Sequence, residues 1–231
     1  MEQTCNGQYI IEFNGLPGTG KSTIANYVES VLKGQGCVVY REYFCNQHQR
    51  NNKSLFFSMR WIMVISRLYL LSLSIKPLKN RINGVIAFAK YLRMYYVFYK
   101  KETNAILITD EGIIQAITSI FHLDRLEDDS IVKKILNWVN DRGMLIFRVD
   151  CKSDVELSSS RIEQRGLTGA RLDSLEPKKR IDALMTQAAN LDVIRSLTSE
   201  ALDWSAIAID ASLSPGYNAQ IICEKINDYR K

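Results

Sequence analysis

The sequence contains no Cys-x-x-Cys pair, and its five cysteines, Cys5, Cys37, Cys45, Cys151 and Cys223, are odd in number and scattered. That spacing supports neither a zinc site nor a disulfide framework, and it suits thiols in a reducing compartment. Two histidines, His48 and His122, are too few and too far apart for a histidine metal cluster. Proline is scarce at four residues, and no Gly/Ser/Pro-rich linker, low-complexity tract or internal repeat marks a domain boundary. The opening Met1-Glu2-Gln3-Thr4-Cys5 lacks the basic n-region and apolar h-region of a secretory signal. A cytoplasmic protein is therefore expected.

The sharpest absence is of acid. Between residues 43 and 101 there is no Asp or Glu, while the same 59 residues hold eleven Lys or Arg and twelve of the 22 aromatic residues. Elsewhere 19 basic residues face 25 acidic ones, a balance of −6, so the net charge of +5 originates in this one segment. Its most apolar part, 61–75, is fifteen residues long with Arg67 inside, too short and interrupted to span a bilayer. Basic residues beside Trp and Tyr do suit an interface with anionic headgroups, so peripheral membrane contact is one expectation. Nucleic-acid binding fits the charge, but no nucleic-acid motif accompanies it and it is not expected.

What is present is an ordinary globular composition, 46% hydrophobic and 24% charged over 231 residues, enough for one α/β domain with a helical insertion. Short apolar, β-branched runs predict strands at 9–14, 37–41, 105–109, 144–149 and 206–209, as expected of strands buried on both faces. Between and around them, helices are predicted at 21–33, 55–75, 82–101, 112–121, 130–141, 153–165, 177–196 and 215–229. Alternation of strand and helix predicts a parallel sheet with helices on both faces.

The first strand runs into Gly15-Leu16-Pro17-Gly18-Thr19-Gly20-Lys21-Ser22 and then into a helix. This matches G-x-x-x-x-G-K-[ST], which average composition produces by chance in such a chain about once in a hundred. Glycines let backbone N–H groups approach phosphate oxygens, and the helix N-terminus adds positive potential. The expected nucleotide cradle is Gly15, Pro17, Gly18, Thr19, Gly20, Lys21, Ser22 and Thr23. Lys21 neutralises the β- and γ-phosphates and the Ser22 hydroxyl ligates Mg²⁺. A metal bound this way needs a carboxylate at a neighbouring strand end, and Asp110, closing the run 105–109, is the candidate, with Glu111 beside it. Further positive charge for the transferring phosphoryl group is available from Arg161 and Arg165, four apart on one helix face, and from Arg171 in a Gly-containing loop.

Taken together these segments resemble the thymidylate kinase and deoxynucleoside kinase superfamily of P-loop phosphotransferases over nearly the whole chain. The loop GLPGTGKS is similar to that family's phosphate loop, and VVYREY stands where it has an Arg-Glu-Pro motif. LIFRVDCKSDVELSSSRIEQRG resembles its fourth strand and the helix leading to an arginine-rich lid. AIAIDASLSP resembles its fifth strand and the turn near adenine. The resemblance implies a three-layer P-loop NTPase fold with a five-stranded parallel sheet of order 2-3-1-4-5, ATP as donor and Mg²⁺ as cofactor. It implies a single domain over 1–231, with an acceptor-side insertion at 43–104 and a lid at 161–176. By position it implies Arg41 and Glu42 at the acceptor, Glu42 as general base in competition with Glu111, and Arg161, Arg165 and Arg171 clamping the phosphates.

Two departures stand out. Arg41-Glu42 is followed by Tyr43, not proline, and the third strand ends in Asp110-Glu111-Gly112, where the family usually has Asp-Arg or Glu-Arg. The missing arginine leaves two alternatives, a charge supplied by the basic insertion or an acceptor that is not a nucleotide. Within the insertion Trp61, Tyr69, Tyr91, Tyr95, Tyr96 and Tyr99 could stack on a base or sugar ring, with Arg60, Arg67 or Arg93 reaching an anionic group. The competing reading is core packing between helices. The expectation is a kinase acting on a small anionic or aromatic acceptor, most simply a nucleoside or nucleotide, with Arg41, Glu42, Arg60, Trp61, Arg67 and Tyr91 at the acceptor. A sugar or lipid-linked acceptor, an ATPase or switch acting through a partner, and a homodimer remain open.

Overall fold

The computed structural model describes residues 7–41, 78–121, 145–166, 172–202 and 204–229, together with a few positions between 126 and 137. Five strands, β1 (Tyr9–Gly15), β2 (Val38–Arg41), β3 (Ala105–Thr109), β4 (Ile146–Lys152) and β5 (Ser205–Asp210), form one sheet. Its order is β2-β3-β1-β4-β5 and every pairing is parallel, the order and direction that the resemblance implied. The six helices with described bounds are α1 (Lys21–Gly34), α2 (Leu78–Lys101), α3 (Ile113–Phe121), α4 (Val155–Gln164), α5 (Pro177–Ala201) and α6 (Pro215–Tyr229). The helices predicted at 55–75 and for most of 130–141 lie outside the described residues.

All seven residues of β1 are buried, as a central strand with helices on both sides requires. Tyr9, Ile11 and Phe13 point to the face packed by Ile24, Val28 and Leu32 of α1 and by Ile222 and Ile226 of α6. On the opposite face Ile10 joins a core with Phe88 and Leu92 of α2, Ile113 and Ile117 of α3, and Leu184 and Ile194 of α5. The chain is thus a three-layer α/β P-loop NTPase fold. The chain leaves β1 for the α1 face and leaves β3 for the α3 face. Adjacent strands therefore send their carboxyl-end loops apart, and a crevice opens between the loop after β1 and the corner after β3.

Among the described residues no helix is long and apolar enough to cross a membrane. Cys151 and Cys223 are free and buried.

Candidate nucleotide-binding site

The loop from Gly15 to Gly20 is shaped by its own hydrogen bonds. Thr19 is buried; its Oγ1 donates to the Leu16 carbonyl at 2.9 Å and its N–H to the same oxygen at 3.3 Å. The Thr19 side chain therefore helps to build the loop. Lys21 Nζ donates to the carbonyls of Gly15 and Leu16, each at 3.0 Å, which draws the ammonium over the hollow of the loop. Gly20 precedes α1 with φ 81° and has no side chain to cap it. The first-turn amides thus keep their N–H groups for an anion. Ser22 and Thr23 are exposed in that first turn, and Pro17 is half-buried.

Gly18 carries a φ of +85°, and a Cβ there would lie 2.5 Å from the carbonyl oxygen of Ser158 on α4. Left-handed strain of about 1–2 kcal/mol adds to a backbone clash that only movement of α4 could relieve. Gly18→Ala is expected to lose about 2–4 kcal/mol of stability and to weaken nucleotide binding. Urea unfolding and a nucleotide titration measure the two effects.

Across the crevice stands the β3 corner. Asp110 and Glu111 act electrostatically on Lys21 and favour its charged form. Burial is the larger influence, and the lysine's proton affinity falls below its ordinary value. Asp110 is also ion-paired with Arg41 Nη2 at the end of β2, and Arg41 Nε lies 3.7 Å from Glu29 of α1. Arg41, expected at the acceptor, therefore holds the carboxylate expected to hold the metal. Among the described residues no three His, Cys, Asp or Glu side chains converge on a metal position. A hydroxyl and a carboxylate are nonetheless suitable donors for Mg²⁺, which keeps several waters and takes few protein ligands.

On the far side of the loop Arg161 of α4 donates to the Ala211 carbonyl at 3.1 Å, in the turn after β5. That turn is fixed by the Ser212 N–H donating to Asp210 Oδ1 at 2.8 Å and by the Asn218 amide donating to the Asp210 carbonyl at 2.8 Å. Arg165 is not presented to the crevice as a free charge. Its Nη2 is 2.6 Å from the buried carboxylate of Asp173, so it ties the two roots of the expected lid together. Arg180 adds bonds to the carbonyls of Ser159 at 3.4 Å and Leu175 at 2.9 Å. Arg171, Glu42, Arg60, Trp61 and Arg67 lie outside the described residues, as does Tyr69. Tyr91 and Tyr95 are buried in the core between α2 and the sheet, the packing reading of those aromatics. Tyr99 donates to the Leu145 carbonyl at 2.9 Å.

A polar cluster behind the loop is absent from the sequence reading. Glu12 and Asn14 of β1 sit opposite Arg148 and Asp150 of β4 on one face of the sheet. Asn14 Nδ2 donates to Asp150 Oδ1 at 2.7 Å, and Arg148 Nη2 lies 3.0 Å from Asp150 Oδ2. Arg195 of α5 donates from Nε to Asn14 Oδ1 at 2.8 Å and from Nη2 to the Asn14 carbonyl at 3.4 Å. It thereby grips the residue that enters the loop, and its charge is felt at Lys21. Cys151, whose thiol burial pushes up to about 12, backs the same place, against Gly15. No local motif signals Arg195. It is found only once α5 is laid against β1.

No protein-family model and no curated protein matches the chain. Among solved structures it is similar to a shikimate kinase from Acinetobacter baumannii in complex with shikimate, at 13% identity and TM-score 0.48, over 99% of this chain and 98% of that one. It is also similar to a deoxyadenosine kinase from M. mycoides with bound dATP, at 16% identity and TM-score 0.49, over 94% and 98%. A third, an uncharacterized protein from Eubacterium ventriosum, gives 12% identity and TM-score 0.44 over 96% and 99%. At these identities and TM-scores the likenesses assign neither a substrate nor a residue role. The reading of the site rests on its own geometry.

Proposed function

We propose that the protein is an ATP-dependent kinase that transfers the γ-phosphoryl group of Mg-ATP to a small acceptor, a nucleoside or nucleotide. The supporting observation is the juxtaposition at the switch point. A Lys21 ammonium drawn into a glycine loop lies within electrostatic reach of two carboxylates, Asp110 and Glu111, on the neighbouring strand end. In this reading the loop amides and Lys21 hold the β- and γ-phosphates. Ser22 and Asp110 would hold Mg²⁺, which would supply positive charge to offset that of the phosphates.

The acceptor hydroxyl oxygen forms a bond to the γ-phosphorus as the bridging oxygen's bond breaks, and ADP leaves. The hydroxyl proton passes to Glu111 or Glu42. Arg161 and Arg171 offset charge on the transferring oxygens, and Arg165 joins them if its bond to Asp173 opens as the lid closes. There is little covalent chemistry for the protein to perform, so positioning and charge carry the rate. In this reading Arg41, ion-paired with Asp110, also helps to orient an anionic acceptor. The choice of a nucleoside or nucleotide rests on the resemblance of the sequence motifs.

ADP formation should be followed with nucleosides, nucleoside monophosphates and sugars as acceptors. One nucleoside or nucleotide acceptor is expected to raise ADP formation at least ~100-fold over water alone, because kinases suppress attack by water until the acceptor closes the site. Fast phosphate release without any acceptor would instead mark an ATPase or switch. A response to sugars alone would keep the kinase and discard the nucleoside.

A further inference from the structure

The corner that presents Asp110 and Glu111 is held from beneath by a residue to which the reaction gives no role. Glu12, in the middle of β1, is completely buried. Its Oε1 accepts the Ile114 N–H at 2.8 Å, and the Ile113 amide also acts on it. Its Oε2 accepts the Tyr95 hydroxyl at 2.7 Å. With that proton committed to the carboxylate, the Tyr95 oxygen, 3.2 Å from Thr109 Oγ1, is left to accept from Thr109. Thr109 is the last residue of β3 and the register partner of Glu12. Glu12 therefore grips the chain directly just after Gly112 and, through Tyr95, just before Asp110.

Gly112 completes the arrangement. A Cβ at this position would fall 2.2 Å from Glu12 Cδ and 2.5 Å from Oε2, so the corner closes down onto the carboxylate only because residue 112 has no side chain. A buried carboxylate is costly, and burial raises the proton affinity of this one. A helix N-terminus satisfied from within its own segment would not need it, since Ser, Thr, Asp or Asn just before α3 would serve. The residues there are Asp110-Glu111-Gly112, and the two acids are turned to the crevice, where they act on Lys21.

We propose that Glu12 is a positioning residue for the Asp110–Glu111 corner, clamping it through the α3 amides and through Tyr95 and Thr109, with Gly112 as the space that admits the clamp. This rests on the reading of the corner as the metal-binding side of the site. It also joins the corner to α2, the helix that carries Tyr95 and forms the described end of the acceptor-side insertion.

The test is the Mg²⁺ dependence of ATP binding to the full chain, read by calorimetry well below the melting temperature. Glu12→Leu keeps the volume and removes both acceptors. It is expected to raise the half-saturating Mg²⁺ at least ~10-fold, with Mg²⁺-free ATP affinity changed less than ~2-fold. Glu12→Gln retains an oxygen for Ile114 and should stay within ~3-fold of wild type. A purely structural role predicts a lower melting temperature for Glu12→Leu with unchanged Mg²⁺ half-saturation, and that result overturns the proposal. Should Glu12→Leu fail to fold, Gly112→Ala and Tyr95→Phe take its place. Both are expected to shift the Mg²⁺ requirement upward, the glycine variant more. Unchanged Mg²⁺ dependence in both folded variants would refute the clamp. Wild-type protein that binds ATP indifferently to Mg²⁺ would refute the site reading itself, a distinct outcome.

Discussion

Lys21→Ala is expected to reduce phosphoryl transfer by at least ~1,000-fold, equivalent to about 4 kcal/mol of transition-state stabilisation, while leaving the protein folded. Among the described residues Lys21 Nζ is bonded only to the Gly15 and Leu16 carbonyls, and the loop's turn is also held by Thr19 through Leu16. Removing the ammonium therefore subtracts charge at the phosphates and not the scaffold. Its partial burial strips water from it, and a desolvated cation beside phosphate is worth more than one in bulk solvent. Lys21→Arg should fail nearly as badly, because a planar fork cannot occupy the hollow that a compact ammonium fills. Steady-state ADP production, with circular dichroism to confirm folding, measures this. Full activity in Lys21→Ala would remove the loop from the mechanism.

The second large effect is on stability. Asp150→Ala is expected to destabilise the protein by about 3–5 kcal/mol, because it leaves the buried Arg148 without its carboxylate and takes from the half-buried Arg195 one of its two. For a chain of this size that is a fall in melting temperature of about 6–20 °C. The side chains of Arg148 and Asp150 are 5% and 8% exposed, and the Arg148 guanidinium, 3.0 Å from the carboxylate, also donates to the Arg195 carbonyl and to Ser199. Arg195 Nε is 3.5 Å from the same carboxylate. Without Asp150 these two cations repel one another in a medium that screens poorly. Asn14 loses the acceptor for its amide as well, so the entry to the phosphate loop should loosen, and ATP affinity should fall with stability. Asp150→Asn keeps one acceptor oxygen and should lose less. Urea unfolding of the three proteins is the measurement, and a loss below about 1 kcal/mol for Asp150→Ala would contradict the account of the cluster.

Much of this arrangement is legible in the sequence, for reasons that differ by element. The run Ala105–Thr109 is both predicted and observed as a strand because it is apolar, β-branched and closed abruptly by Asp110. Pro215–Tyr229 likewise begins at a proline suited to the first helical position. β4 is displaced, predicted over 144–149 and found at Ile146–Lys152. Its last residues, Asp150, Cys151 and Lys152, are partly polar and read as a strand end, yet they pair with Ala208, Ile209 and Asp210 of β5. α5 runs to Ala201, five residues past its predicted end, since nothing in 197–201 breaks a helix and Thr198 bonds back to the Ile194 carbonyl.

The phosphate loop is legible because its chemistry is local: glycines, lysine and serine at fixed spacing, each needed by a backbone that wraps phosphate. Glu12, Asn14, Arg148, Asp150 and Arg195 are not, because their partners lie on other strands and helices and their spacing along the chain carries no pattern. Glu12 and Arg148 were hidden inside runs read as apolar strands. Arg165 shows the converse case. Its spacing from Arg161 suggested a phosphate clamp, and its bond to Asp173 appears only when the chain folds back.

The account turns on the loop after β1 and the corner after β3 forming one magnesium–nucleotide site. Calorimetric titration of the wild-type protein with ATP, in Mg²⁺ and again in EDTA, addresses that claim without any knowledge of the acceptor. It is predicted to show one nucleotide bound per chain, with affinity falling at least ~10-fold when Mg²⁺ is withdrawn. Absence of binding, or binding that ignores Mg²⁺, would contradict it.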